Sequence, residues 1–179
     1  RIIKIYPSHK NIDYVYYMRA VSYFEQISGE NFDGKSNIEA KKNFQELLNR
    51  FPESEYAKDS RQKLIFINEN IAAKDMEIAI FYLNQKQYLA ALGRYNKVIE
   101  KYPKSKFIPE ALYRLVEIYT ILGMEEEAEK AAAVIVYNYP KSVWYEESYN
   151  LINEEYYKKN KVTLRKKLLN LFKKNESKE

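Results

Sequence analysis

Gln87-Tyr-Leu-Ala-Ala-Leu-Gly-Arg-Tyr-Asn-Lys-Val-Ile-Glu-Lys-Tyr-Pro103 reads as a short amphipathic helix halted by an aromatic-proline pair. The pattern recurs. Asn37-Ile-Glu-Ala-Lys-Lys-Asn-Phe-Gln-Glu-Leu-Leu-Asn-Arg-Phe-Pro52 is a second copy, and Met124-Glu-Glu-Glu-Ala-Glu-Lys-Ala-Ala-Ala-Val-Ile-Val-Tyr-Asn-Tyr-Pro140 is a third. Arg1-Ile-Ile-Lys-Ile-Tyr-Pro7 has the form of the end of another. A recurring unit of this size fixes the architecture before any individual residue does, because each unit needs its neighbours to bury its apolar face.

Counting back from Pro103 with a tetratricopeptide spacing of about 34 residues puts small residues where paired helices must approach closely, Ala79 and Ala91. Large residues fall where the space between helices must be filled, at Ile78, Tyr82, Tyr95 and Val98. The same count from Pro140 gives Leu115, Val116, Tyr119, Ala128, Ala132 and Ile135, with Gly123 in the turn. The expected fold class is all-α, a right-handed helical solenoid of tetratricopeptide repeats. It occupies residues 1–158 with a C-terminal capping helix from about Trp144, and 159–179 form a separate basic amphipathic tail.

Individual elements follow from local signals. Asn11 to Ile27 has helical spacing, with Ser8 before it as a cap. Residues 28–37, rich in Gly, Ser, Asn and Asp, read as a loop, longer than the repeat requires, followed by a helix over 38–50. This insertion is either a partner-contacting feature or a tolerated surface loop. Tyr56 to Gln85 contains neither Gly nor Pro and reads as one long helix. It accounts for the 51 residues between Pro52 and Pro103, and its extra turns are expected to project beyond the stack and brace neighbouring pairs. Ser54, Ser105 and Ser142 each follow a proline by two and are expected to cap the next helix; Pro109 fits a first helical turn.

Composition narrows the function classes. Only 4 Gly and 5 Pro favour helix over sheet, and the 18 Tyr suit large amphipathic rings between helices. With 0 Cys there is no disulfide framework and no thiolate metal site. The net charge of +5 is unevenly placed: residues 158–179 carry nine Lys or Arg against two acids, while the rest holds 21 basic and 23 acidic residues. The body is therefore near neutral, which removes the basis for a nucleic-acid-binding domain. In the tail, Leu164, Leu168, Leu171 and Phe172 share a helical face. Such a segment can lie on an anionic membrane, but docking on the preceding helix or partial disorder is the favoured reading.

Catalytic signals are absent from the sequence. His9, the single His, stands just before a helix start and reads as a surface or capping residue. The pairs Glu146-Glu147 and Glu154-Glu155 and the run Glu125–Glu127 place neighbours about 100° apart on a helix, as solvated faces do. No phosphate-binding glycine loop, nucleophile elbow or zinc-protease motif occurs. No enzyme activity, cofactor or metal is expected.

Asn11-Ile-Asp-Tyr-Val-Tyr-Tyr-Met-Arg-Ala20 resembles the Asn-Ile-Asp-Tyr-Val-x-Tyr-Met-Arg-Gly segment of the BamD family, tetratricopeptide lipoproteins of the outer-membrane β-barrel assembly machinery. The run Pro52-x-Ser-x-Tyr-x-x-Asp-x-x-x-x-Leu64, the long helix into Ile80-Phe-Tyr82, and the helix from Arg94 to Tyr102-Pro103 are similar to the same family. The likeness covers roughly residues 1–140, and departs from the family at the shorter 28–37 insertion and the basic tail. It implies a non-catalytic scaffold that binds the periplasmic POTRA domain of BamA and supports insertion of β-barrel proteins. Other assembly-machinery lipoproteins are implied partners, as are unfolded outer-membrane proteins, mainly through N-terminal repeats missing here.

The resemblance further implies an N-terminal lipidated Cys holding the protein at the periplasmic face of the outer membrane; the Cys-free sequence, opening inside a helix pattern, fits a fragment lacking that part. An Arg of the family takes part in BamA binding, and Arg94 occupies its position. The expected partner-binding residues are Arg94 and the neighbouring surface positions Gln87, Tyr88, Ala91 and Lys97. The alternative is a periplasmic peptide-binding co-chaperone using the concave repeat face. No Lys or Arg recurs at matched first-helix positions to clamp a peptide carboxylate, which weighs against it.

Overall fold

The computed structural model describes residues 2–28 and 34–153. A single helical turn, α1 (Ile2–Ile5), leads into α2 (Ile12–Phe24) and a 3-10 turn at Glu25–Ser28. Then follow α3 (Gly34–Arg50), α4 (Ala57–Asn84), α5 (Tyr88–Lys101), α6 (Ile108–Ile121), α7 (Glu125–Asn138) and α8, helical from 143 to 153. The described residues contain no strand. Packing runs between successive neighbours, α2 on α3, α3 on α4, α4 on α5, α5 on α6 and α6 on α7. The expected all-α stack of helix pairs is what the chain forms.

The small and large positions interlock as the spacing predicts, except Ile78, which is half-buried and lies outside the core clusters. Ala79 and Ala91 are fully buried where α4 meets α5, and Tyr95 and Val98 fill the layer beside them. In the next pair, Leu115, Val116, Ala128, Ala132 and Ile135 belong to the same core, with Tyr119 packed at its margin. Trp144 lies against Tyr113 with ring centroids 5.1 Å apart, and Tyr145, Leu151 and Ile152 lean on this core from α8. The rest of the expected capping helix and the basic tail lie outside the described residues.

The long helix does not project. Ile67 of α4 is buried with Ala20, Ala40 and Phe44 from α2 and α3, while Ala72, Met76 and Ala79 belong to the core shared with α5 to α7. Ile71 packs against both clusters. The extra turns are thus spent on a second set of neighbours: α4 closes the α2–α3 pair with its first half and opens the α4–α5 pair with its second. Helix α3 also begins four residues earlier than its spacing suggests, so residues 34–37 of the glycine-rich segment are helical, and Asn37 is buried. Residues 29–33 of that segment lie outside the described residues.

The proline-x-serine signals act differently from simple caps. The Ser54 hydroxyl accepts the Tyr56 N–H (3.3 Å) and donates to Asp13 Oδ2 at the start of α2 (2.7 Å). The Ser105 hydroxyl accepts the Phe107 N–H (3.2 Å) and donates to Glu69 Oε2 on α4 (3.0 Å), whose other oxygen accepts the Lys106 N–H (3.1 Å). Each serine closes a turn two residues long and ties it to a carboxylate of the preceding pair, so α4 and α6 start later, at Ala57 and Ile108. At α2 the equivalent acceptor is His9 Nδ1, which takes the Asn11 N–H at 3.2 Å.

The two hairpin turns inside the α4–α5 and α6–α7 pairs share one geometry. Gln87 N–H reaches Tyr82 O and Met124 N–H reaches Tyr119 O, both at 2.9 Å. The residue between helix and closing amide is left-handed in each, Lys86 with φ 57° and Gly123 with φ 72°. Only one is glycine. Lys86→Gly is expected to stabilise the fold by about 0.5 kcal/mol, the relief of the left-handed lysine less the added freedom of the unfolded chain. Gly123→Ala is expected to cost about 1 kcal/mol through the backbone alone, since a Cβ there meets nothing within 4 Å. Urea midpoints of the two variants check both signs.

Candidate partner-docking surface

Helix α5 presents two flanks around its buried line of Ala91, Tyr95 and Val98. At 3.6 residues per turn, Gln87, Arg94, Lys97 and Lys101 fall along one of them. Below this flank lies Asp75 on α4, its side chain only 5 % exposed. Arg94 Nη1 donates to Asp75 Oδ1 at 3.0 Å and Lys97 Nζ donates to the same oxygen at 2.8 Å. Lys97 Nζ is also 2.7 Å from Oδ2, too oblique for a hydrogen bond, so that oxygen is held by charge alone. The two cations remain 37 % and 36 % exposed. A carboxylate out of water therefore pins two half-exposed cations, which fixes where they present their remaining donors.

Of the expected partner-binding residues, the structure brings Arg94 and Lys97 together and leaves Gln87 exposed at the helix start. Tyr88 is half-buried and packs on the core, offering only part of its ring. Ala91 is a correction: it is 0 % exposed, on the line that faces α4, and cannot touch a partner. Its place is the close helix approach that its size permits. Sequence reasoning missed Asp75. It stands in the core register of α4, three residues after Ala72 and four before Ala79, and an acid at such a position signals a buried partner.

The flank continues across the seam toward α3. Lys41 Nζ sits over the Tyr102 ring, 5.0 Å from its centroid. Burial lowers the affinity of Lys41 for its proton, and the charge of Lys101 lowers it further. The Tyr102 hydroxyl is shifted upward by burial first and by the charge of Asp75 second. Among the described residues no group of His, Cys, Asp or Glu is arranged to hold a metal ion, and no helix is long and apolar enough to cross a membrane.

Stacked helix pairs with a pre-set charged flank define a repeat protein of the tetratricopeptide-like class. The family model described as YfiO, outer membrane lipoprotein, matches residues 1–135. The chain is 40% identical over 154 residues to the outer membrane protein assembly factor BamD of Caulobacter vibrioides, covering 86% of this chain and 50% of that protein. It is 41% identical over 150 residues to that of Rickettsia prowazekii, covering 84% and 60%. The corresponding factor of Xylella fastidiosa is 32% identical over 154 residues, with 80% and 53% covered. The chain belongs to the YfiO outer membrane lipoprotein family, the BamD family of assembly factors. It spans between half and three-fifths of the length of these relatives.

Proposed function

We propose that this chain is part of a non-catalytic scaffold subunit of the outer-membrane protein assembly complex, and that it docks the periplasmic POTRA domain of BamA through the cationic flank of α5. The protein works at the periplasmic face of the outer membrane, lipid-anchored, and supports insertion of β-barrel proteins. Other assembly-machinery lipoproteins share the complex, and unfolded outer-membrane proteins meet it mainly through the N-terminal repeats. The relatives' description as outer membrane protein assembly factors supports the setting.

The observation that carries the docking role is the Asp75–Arg94–Lys97 cluster. Arg94 gives one guanidinium nitrogen to Asp75 and keeps a third of its side chain in water, oriented before any partner arrives. A planar fork held this way loses little freedom when it meets a second carboxylate. Arg94→Gln in the full-length protein is expected to weaken binding of the BamA POTRA domain about tenfold, with the melting temperature monitored alongside. Undiminished binding removes Arg94 from the interface. Arg94→Glu is the poorer probe, because it would set a new carboxylate against the buried Asp75.

A further inference from the structure

Lys41 stands apart from the other lysines. Every other described lysine without a carboxylate partner is exposed, so water supports its charge. Lys41 is half-buried, has no carboxylate partner, and feels Lys101 as a like charge. The face of Tyr102 offsets only part of this cost. On the α5 side of this contact Lys101 stands one helical turn beyond Lys97 and two beyond Arg94. Of these four cations only Arg94 and Lys97 have a carboxylate, the shared Asp75. The arrangement concentrates uncompensated positive charge in a body that is elsewhere near neutral.

We propose that the seam between α3 and α5 is one continuous docking surface for an acidic patch of a folded protein, with Lys41 and Lys101 as its second half. The inference rests on the docking reading above and extends it from one helix to two pairs. Carboxylates fit better than an apolar partner because the seam offers cations at its rim and a buried anion only at its base. A partner carboxylate beside Lys41 would supply the counter-charge that this half-buried ammonium lacks. Because α4 and Tyr102 fix the spacing of the two halves, the surface selects a rigid partner whose acids match that spacing.

The test uses full-length Lys41→Gln/Lys101→Gln, with Arg94→Gln and wild type beside it, titrated with the BamA POTRA domain at several salt concentrations. The double variant is expected to bind roughly three- to tenfold more weakly, with a shallower salt dependence and an unchanged or raised melting temperature. If it binds like wild type while Arg94→Gln loses affinity, the extension to Lys41 and Lys101 is overturned and docking through α5 stands. If the wild type fails to bind the domain, the docking reading falls and takes the extension with it. Vesicles of phosphatidylethanolamine and phosphatidylglycerol form the other arm. Loss of vesicle binding in the double variant without loss of POTRA binding assigns the seam to lipid and overturns the proposal.

Discussion

Replacing both Arg94 and Lys97 by alanine is expected to destabilise the fold by about 3 kcal/mol, far more than either change alone. The asymmetry comes from burial. Asp75 has 5 % of its side chain exposed, whereas its two partners keep more than a third of theirs. If one cation is removed the other still neutralises the carboxylate, and the remaining half-exposed pair is worth little more than a surface contact, about 1 kcal/mol or less. If both are removed, a carboxylate stays out of water with no counter-charge. The deficit should shrink when Asp75→Leu is added to the double variant, since the buried charge is then gone. Urea unfolding of the single, double and triple variants measures each step. Equal and additive losses in the two single variants, with no recovery in the triple, would mean that Asp75 is not the point they share.

That coupling was only partly legible in the sequence. The repeat was readable because it needs no knowledge of tertiary structure: Ala79, Ala91, Tyr95 and Val98 identify themselves by spacing. The register also held Asp75, between Ala72 and Ala79 on the face that α4 buries, but its counter-charges lie 19 and 22 residues further along on another helix. Ala91 shows the opposite lapse. Nearness to Arg94 along the chain suggested a shared surface, but three residues leave the two about 60° apart around the helix, and the edge of the buried stripe falls between them, with Ala91 in the core and Arg94 on its flank. Lys41 carries no local signal at all. Its distinction comes from Tyr102 and Lys101, brought to it from the end of a different helix pair.

The prolines and serines follow the same rule. Pro52, Pro103 and Pro140 mark helix ends by local sterics and were read from sequence. Ser54 and Ser105 looked like caps, but each hydroxyl is committed across the repeat to Asp13 or Glu69, a choice that depends on a carboxylate 41 or 36 residues earlier. For the long helix, the sequence specified its length and the structure supplied its use. Ile67 and Met76 are core residues of different clusters on one uninterrupted rod, and a helical periodicity alone cannot say whether a long rod has one neighbour or two.

Ala73→Pro should therefore do more than lower stability: it should separate the two halves of the molecule. Ala73 lies within the 28-residue α4, between Ile71, which touches both cores, and Asp75. Proline there removes one backbone hydrogen bond and crowds the carbonyl of Glu69, a cost of about 3 kcal/mol or more. Glu69 is the residue whose side chain ties α4 to the Ser105 turn, so the disturbance reaches that link as well. Ala73→Gly keeps the hydrogen bond and should cost only about 1 kcal/mol. The difference between the two isolates helix continuity from side-chain loss. If α4 transmits stability between the pairs, the wild type unfolds in one transition, and Ala73→Pro unfolds in two, with α2 and α3 losing amide protection before α5 to α7. Hydrogen exchange followed through a urea series resolves the order. A single transition in the proline variant, lowered uniformly across all helices, would show that the pairs are coupled by their side-chain contacts and not by the rod that runs through both.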